Sequence, residues 1–331
     1  MSMQGRRRLL GGLGAAALGL PALAPTTAQA QVAGNVVIGK DGWLFPAWDD
    51  VRRVDLAKTR RVAQFVNSAI QTMKLAGIEV VVSLTPTKAR VYPEFLPEGF
   101  RSTPDADRRY ALVLEELRRQ GTLVPDLATL FATMRRSQPA EQIYFKADIH
   151  WTPMGAEPAA TETAREIKAR VQLPAAPRPG TRLGPPVTMR YEKNDLAAEL
   201  PVAEQRRYPF EPFRVRQVVT QGQAALVEDD SADVTVVGNS FMQVGYGFPP
   251  MLSNQLARPV ALAVKIGRVG PYRTLLDYLA SPGFRSQRPK VLVWHFLEGN
   301  MEIMPDHTGT WAGAAMAPNA FMTELRNRVA R

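Results

Sequence analysis

The chain is 331 residues long with 45% hydrophobic and 22% charged residues, a balance that supports a sizeable core and excludes a wholly disordered polymer. It contains no cysteine, which excludes disulfides, iron–sulfur clusters, thiolate zinc sites and a cysteine nucleophile. The formal charge of +10 falls to +7 once residues 1–30 are set aside, and no dense Lys/Arg tract remains to favour nucleic acid.

Arg6-Arg7-Arg8-Leu9-Leu10 opens a Gly/Ala/Leu stretch that runs to about Leu23 and is followed by Ala28-Gln29-Ala30. A basic start, a weakly apolar middle and a small-residue cleavage site read as an export signal of twin-arginine type. An ordinary secretory signal is the alternative. Cleavage after Ala30 leaves a mature chain from Gln31, expected in a bacterial periplasm as one domain over 31–331; an uncleaved inner-membrane tether is the lesser reading.

Beyond Gln31 strand and helix signals alternate. Helical periodicity covers about Leu56 to Leu75, and Glu79-Val80-Val81-Val82-Ser83-Leu84 reads as a buried strand. A second helix is expected from about Asp105 to Arg119, then Leu123-Val124 as a short strand ending at Pro125. A third runs from about Pro153 to Val171, with proline in its first turn. Residues 173–190, rich in Pro, Gly and Arg, read as a long surface excursion, and no period emerges from there to about Ala224. Asp233-Val234-Thr235-Val236-Val237 is a strand stopped by Gly238. Apolar runs Pro259–Val264 and Lys290–Phe296 follow, with a helix near Tyr272–Leu279 between them and a last helix from about Asn319 to Val329. This alternation predicts an α/β fold around a mostly parallel sheet covered on both faces, with its site beyond the carboxyl ends of the strands.

With three histidines and no thiol, chemistry falls to hydroxyls, carboxylates and few imidazoles; no metal and no cofactor is implied. Gly238-Asn239-Ser240-Phe241 follows a strand directly, so the glycine permits a tight turn and Ser240 can present its Oγ above the sheet edge. Its own N–H then serves a developing oxyanion; an ordinary turn or helix cap is the alternative. In Asp148-Ile149-His150-Trp151, an extended backbone would place the carboxylate beside the imidazole, fixing its tautomer and leaving Nε2 as a base. A structural pair on a loop is the competing reading. His295, late in an apolar strand, reads as a buried, satisfied histidine, and His307 as part of a surface turn.

Asp148-Ile149-His150-Trp151-Thr152-Pro153-Met154-Gly155-Ala156 resembles the D-x-H-W-T-P-x-G-A block of the alginate O-acetylation proteins, the AlgX/AlgJ group. Gly39-Lys40-Asp41-Gly42-Trp43-Leu44-Phe45 is similar to their entry segment, and Pro86-Thr87-Lys88 through Val91-Tyr92-Pro93-Glu94-Phe95-Leu96-Pro97 to their P-x-K…Y-P-E-x-L-P stretch. Gly238-Asn239-Ser240-Phe241 falls where the group carries its nucleophile turn, so the resemblance spans roughly Ile38 to Phe296.

The resemblance implies an SGNH hydrolase-like α/β/α sandwich with Ser240 as nucleophile, His150 as base and Asp148 as orienter. The Asp-x-His precedes the serine, a permutation the group shares. Asn239 stands where many SGNH proteins have Asp, and Ser240 N–H is the one firm oxyanion donor, with Gly245 and Tyr246 as further candidates. No C-terminal carbohydrate-binding module of the kind carried by the AlgX subset is expected. For a polysaccharide, Trp43, Trp48, Tyr92, Trp151 and Tyr246 are candidate platforms, and Lys88 and Arg90 candidate partners of uronate carboxylates. Each also reads as core or solvated loop, and Arg206-Arg207 as a surface patch.

The expected activity is O-acetylation of an anionic exopolysaccharide through an acyl-serine, with a membrane O-acyltransferase delivering acetyl groups and other exopolysaccharide proteins as partners. A carbohydrate esterase, and a non-catalytic polysaccharide-binding scaffold on the same fold, are the alternatives.

Overall fold

A computed structural model describes residues 32–219, 226–227 and 232–330, so the export signal read in residues 1–30 lies outside the described residues. No helix among them is long and apolar enough to cross a membrane.

The chain enters through an antiparallel sheet of β1 (Val32–Ala33), β2 (Val36–Ile38) and β3 (Leu44–Pro46). Helix Leu56–Leu75 then forms as its sequence requires. The Asp55 carboxylate accepts from the N–H groups of Ala57 and Lys58 at 2.9 and 3.0 Å, and Val62, Val66, Ile70 and Met73 make one buried stripe. Gly77, at φ +81°, turns the chain into β4 (Glu79–Thr85). Later come β5 (Leu183–Arg190), β6 (Pro212–Val218), β7 (Leu226–Val227), β8 (Val234–Gly238), β9 (Val260–Val264) and β10 (Val291–Leu297).

Strands dominated by Val and Leu leave both faces largely apolar, and only cover on each side satisfies them. The five-stranded sheet, ordered β4-β10-β8-β9-β7 with every pair parallel, meets that demand. Val81, Val234, Val236, Val291 and Val293 face helices Leu127–Ser137, Pro153–Arg170 and Phe248–Leu256. Val80, Val82, Leu84, Val237, Leu292 and Trp294 face helices Leu56–Leu75, Pro104–Arg118, Gly270–Leu279 and Pro318–Val329. The result is helix, sheet, helix. Register sets Trp294 opposite both Val82 and Val237, so β4, β8 and β10 end on one edge.

Three expectations are corrected. Residues 183–190 are not excursion but strand: β5 pairs with β6 as an antiparallel arm, its register shifting between Leu183 and Pro186. Pro185-Pro186 disguised it, because proline is tolerated only at bulges and free edges of strands. Leu123 makes a single bridge to Val81 rather than a strand. Helices Leu127–Ser137 and Phe248–Leu256 form where none was read; the second begins Phe248-Pro249-Pro250, two prolines that suit a first helical turn as well as a loop.

Candidate active site

Ser240 opens a single 3-10 turn, Ser240–Met242, directly beyond β8. Asn239 caps it: its Oδ1 accepts from Phe241 N–H at 3.1 Å, which shapes the turn around the serine. The first N–H of such a turn has no partner within it, so the Ser240 amide is placed to donate outward. A Cβ on Gly238 would lie 2.8 Å from Met242 Cγ and 3.0 Å from His295 Cβ. Gly238→Ala is therefore expected to cost about 1–3 kcal/mol in a urea melt and to slow labelling of Ser240 by displacing its turn.

The histidine loop is built by its own motif. Residues 143–145 pair back across the loop: Phe145 N–H donates to His150 O at 3.3 Å and Thr152 N–H to Ile143 O at 2.8 Å. Thr152 caps the following helix through Met154 N–H at 3.2 Å, and Pro153 fills its first position. A Cβ on Gly155 would stand 2.7 Å from Ile143 O, so glycine is required for this approach. Trp151, fully buried, donates its Nε1–H to Phe241 O at 2.9 Å and so ties the histidine loop to the serine turn. The motif residues around Asp148 and His150 are thus largely structural.

The three reactive groups meet. His150 Nε2 lies 2.7 Å from Ser240 Oγ, and His150 Nδ1 lies 2.7 Å from Asp148 Oδ1. Asp148 and His150 are buried, while Ser240 is half-buried. The Asp–His contact does not come from the extended backbone that the sequence suggested. Asp148 Oδ1 also accepts from His150 N–H at 2.8 Å, so a tight turn brings the side chains together. Burial pushes the Asp148 carboxyl up, but the hydrogen bonds from His150 and from Asp195 N–H to Oδ2 (2.7 Å) hold it below its ordinary value. With the carboxylate charged, Nδ1 carries the proton and Nε2 is free to accept one from Ser240.

Two neighbours were missed by sequence reasoning. Asp195 Oδ2 stands 3.5 Å from His150 Nδ1, its side chain half-exposed, and partial burial beside Asp148 raises its own pKa. The segment bearing it shows no periodicity, which hid it. Tyr191 donates to or accepts from Tyr246 at 2.5 Å between hydroxyls. The Tyr246 ring stacks on His150 at 4.9 Å and 18°, with Phe241 at 4.8 Å from the imidazole. Asp148, His150 and Asp195 also gather three potential ligand atoms within 4.8 Å, but the first two are already bonded to each other.

Several expected ligand contacts turn inward instead. Lys88 is buried, its Nζ donating to the carbonyls of Leu44 (2.6 Å), Lys146 (2.7 Å) and Asp148 (3.0 Å); burial lowers its pKa to about 7. Arg90 binds Glu298 at 2.6 Å. The buried Tyr92 hydroxyl accepts from Ile143 N–H at 2.8 Å, supporting the histidine loop from behind. Trp43 is buried against Tyr92, ring centroids 4.0 Å apart. Uronate contacts by Lys88 and Arg90 are therefore set aside because their polar atoms are already committed, and platforms at Trp43, Tyr92 and Trp151 because their rings are buried. Trp48 alone of the named aromatics is exposed. The Tyr246 N–H is spent on Gln243 O at 3.1 Å, and its hydroxyl is paired with that of Tyr191. Gly245 lies on the exposed turn beside it, and Arg206-Arg207 are at the surface as read. A cavity of about 670 Å³ between the β5–β6 arm and the outer side of the histidine loop is lined by Lys146, Thr152 and Phe210, not by Ser240.

His295 is buried as expected but only half satisfied. Its Nε2 meets Thr85 Oγ1 at 2.9 Å while Nδ1 has no partner among the described residues. Burial, with His150 nearby, depresses its pKa to about 3 from an ordinary 6.5. Between those values the unfolded chain binds a proton the folded chain refuses, so stability falls as pH drops below 6.5. About 2 kcal/mol should be lost from this group between pH 6.5 and 4.5, and urea titrations of His295→Leu should show a correspondingly flatter pH dependence.

A parallel sheet with helices on both faces and a serine at the exit of a central strand belongs to the SGNH hydrolase-like class. Residues 36–298 match the family described as SGNH hydrolase-like domain, acetyltransferase AlgX, and the chain belongs to that family. The probable alginate O-acetylase AlgJ of Pseudomonas putida is 30% identical over 286 residues, covering 82% of this chain and 71% of that one. Its counterpart in Pseudomonas fluorescens is 29% identical over 277 residues, covering 80% and 68%. The solved O-acetyltransferase domain of Pseudomonas putida AlgJ superposes with a TM-score of 0.69 at 27% identity, over 90% of this chain and 99% of that one. Pseudomonas aeruginosa AlgX shares the fold, with a TM-score of 0.61 at 22% identity over 88% of this chain and 67% of that one.

Proposed function

We propose that this chain is an exported O-acetyltransferase that acetylates an alginate-like, uronate-bearing exopolysaccharide in the periplasm. The observation that carries the reading is the unbroken line Asp148–His150–Ser240, with both links at 2.7 Å, in a member of an acetyltransferase family. Relatives named as alginate O-acetylases support the substrate class.

Ser240 Oγ attacks the donor's acetyl carbonyl while His150 Nε2 takes the hydroxyl proton. Negative charge then develops on the carbonyl oxygen, for which the outward Ser240 N–H is the donor. Collapse expels the donor's alcohol or thiol, which leaves with the proton from the imidazolium. A sugar hydroxyl next attacks the acetyl-serine, giving its proton to Nε2, and Ser240 Oγ leaves with that proton. Asp148 keeps the ring oriented and stabilises the imidazolium throughout. Parallel stacking on Tyr246 presents an electron-rich ring face to that cation. A membrane O-acyltransferase would deliver the acetyl groups, beside other exopolysaccharide proteins.

The test is an acetyl-ester donor incubated with and without oligouronates. Acetylated oligosaccharide, together with an acetyl adduct on Ser240 seen by intact mass, is the expected result. Rapid donor hydrolysis untouched by added sugar would instead make the protein an esterase. Absence of any adduct would leave a polysaccharide-binding scaffold.

A further inference from the structure

Lys88 and Glu211 take no part in the reaction drawn above, yet both are directed at the backbone that carries Asp148. The Lys88 ammonium uses its three N–H bonds on three carbonyls, those of Leu44, Lys146 and Asp148, at 2.6, 2.7 and 3.0 Å. From the amide side of the same segment, Glu211 Oε1 accepts from Lys146 N–H at 2.6 Å and Ala147 N–H at 3.3 Å. Residues 146–148 belong to no helix or strand, and their one backbone tie to a sheet among the described residues is Leu44 N–H to Lys146 O at 2.9 Å. A positive charge on their carbonyls and a negative charge on their amides oppose each other across three peptide groups. When Lys88 is protonated, which its lowered pKa of about 7 allows only in part at neutral pH, each is a charge-assisted contact, the stronger kind. Ala147 O is held separately by Ala197 N–H at 3.1 Å, and Asp148 Oδ2 by Asp195 N–H at 2.7 Å.

We propose that Lys88 and Glu211 are a matched pair of positioning residues that clamp residues 146–148 and thereby set Asp148 against His150 Nδ1. The proposal rests on the reading of Asp148, His150 and Ser240 as the reacting group. A lysine whose stem lies beside Trp43 and Phe45, with Nζ 5.1 and 5.5 Å from their ring centroids, could instead be mere filling. Lys88→Met separates the two roles, since it keeps the stem and removes the three donors. Glu211→Gln keeps an acceptor oxygen and removes the charge.

Proton NMR of the full mature chain reads the result. The Nδ1–H shared by His150 and Asp148 resonates far downfield, and with three histidines in the chain it is assigned by its loss in His150→Gln. Folded Lys88→Met is expected to lose or broaden that signal, and its labelling by a fluorophosphonate at Ser240 to slow about 10- to 100-fold; Glu211→Gln is expected to shift the signal and slow labelling less. Both variants folding with the wild-type signal and labelling rate would overturn the clamp. Should Lys88→Met fail to fold, Glu211→Gln decides alone: an unchanged signal sinks the proposal and a shifted one supports it. If the wild-type protein itself is not labelled at Ser240, the catalytic reading fails, while the NMR signal still decides the clamp.

Discussion

Ser240→Ala is expected to abolish acetyl transfer and fluorophosphonate labelling, a loss of roughly 10⁴-fold or more, while leaving the urea midpoint nearly unchanged. The hydroxyl is half-buried and its one hydrogen bond among the described residues is to His150 Nε2 at 2.7 Å, so removing it empties little space and orphans little. His150→Ala should be comparably inactive, since in the proposed mechanism the same ring nitrogen handles the proton in both halves of the reaction. Asp148→Asn should fall less, by about 10²- to 10⁴-fold, because Asp195 Oδ2 stands 3.5 Å from Nδ1 and still offers a carboxylate to the imidazolium. Steady-state rates on one acetyl donor measure all three. Full activity in Ser240→Ala would remove the acyl-serine from the mechanism.

The largest expected loss of stability lies at Glu298, just past the end of β10. Its buried carboxylate binds Arg109 at 3.1 Å, Arg90 at 2.6 Å and the N–H of Thr87 at 2.9 Å. Arg109, equally buried, also reaches Asp49 at 2.8 Å and Glu302 at 3.1 Å. The cluster joins the segment after β4 to helix Pro104–Arg118 and the turn after β10. Glu298→Ala leaves a buried guanidinium short of a counter-charge, and about 3–5 kcal/mol should be lost in urea unfolding. The exposed pair Arg108–Glu115, at 2.8 Å, should cost under about 1 kcal/mol when broken and serves as the comparison. Burial pushes the Glu298 carboxyl up, but Arg109 and Arg90 outweigh it and hold the group below its usual 4.5. Its contribution is therefore complete above that value and fades as pH falls below it, so acid should narrow the gap between wild type and Glu298→Ala. Glu302, raised by burial, opposes this trend.

Most of the central architecture was legible because its signals are local. Mostly apolar runs such as Val80–Leu84 and Val291–Phe296 favour a strand covered on both faces, and Pro153 in a first turn marks a helix start that needs no distant partner. The arm of β5 and β6 was not legible, since Pro185-Pro186 breaks the pattern and the pairing joins strands more than twenty residues apart. The same division runs through the site. Gly-Asn-Ser-Phe and Asp-Ile-His-Trp marked candidate reactive groups through residue type and order, whereas Lys88 and Arg90 read as uronate partners or a solvated loop. Nothing local reveals that one is surrounded by carbonyls and the other faces a buried carboxylate.

Residue identity and order alone determined the alternation of elements, the family and which side chains are chemically able to react. Tertiary structure alone decided which of them meet: Ser240 and His150 are ninety residues apart, and their 2.7 Å contact follows from β8 ending beside the loop before helix Pro153–Arg170. It also decided the fate of every charge, because whether a lysine or arginine serves a ligand or the fold depends on the acceptors that distant segments bring to it, and those become neighbours only when the chain closes.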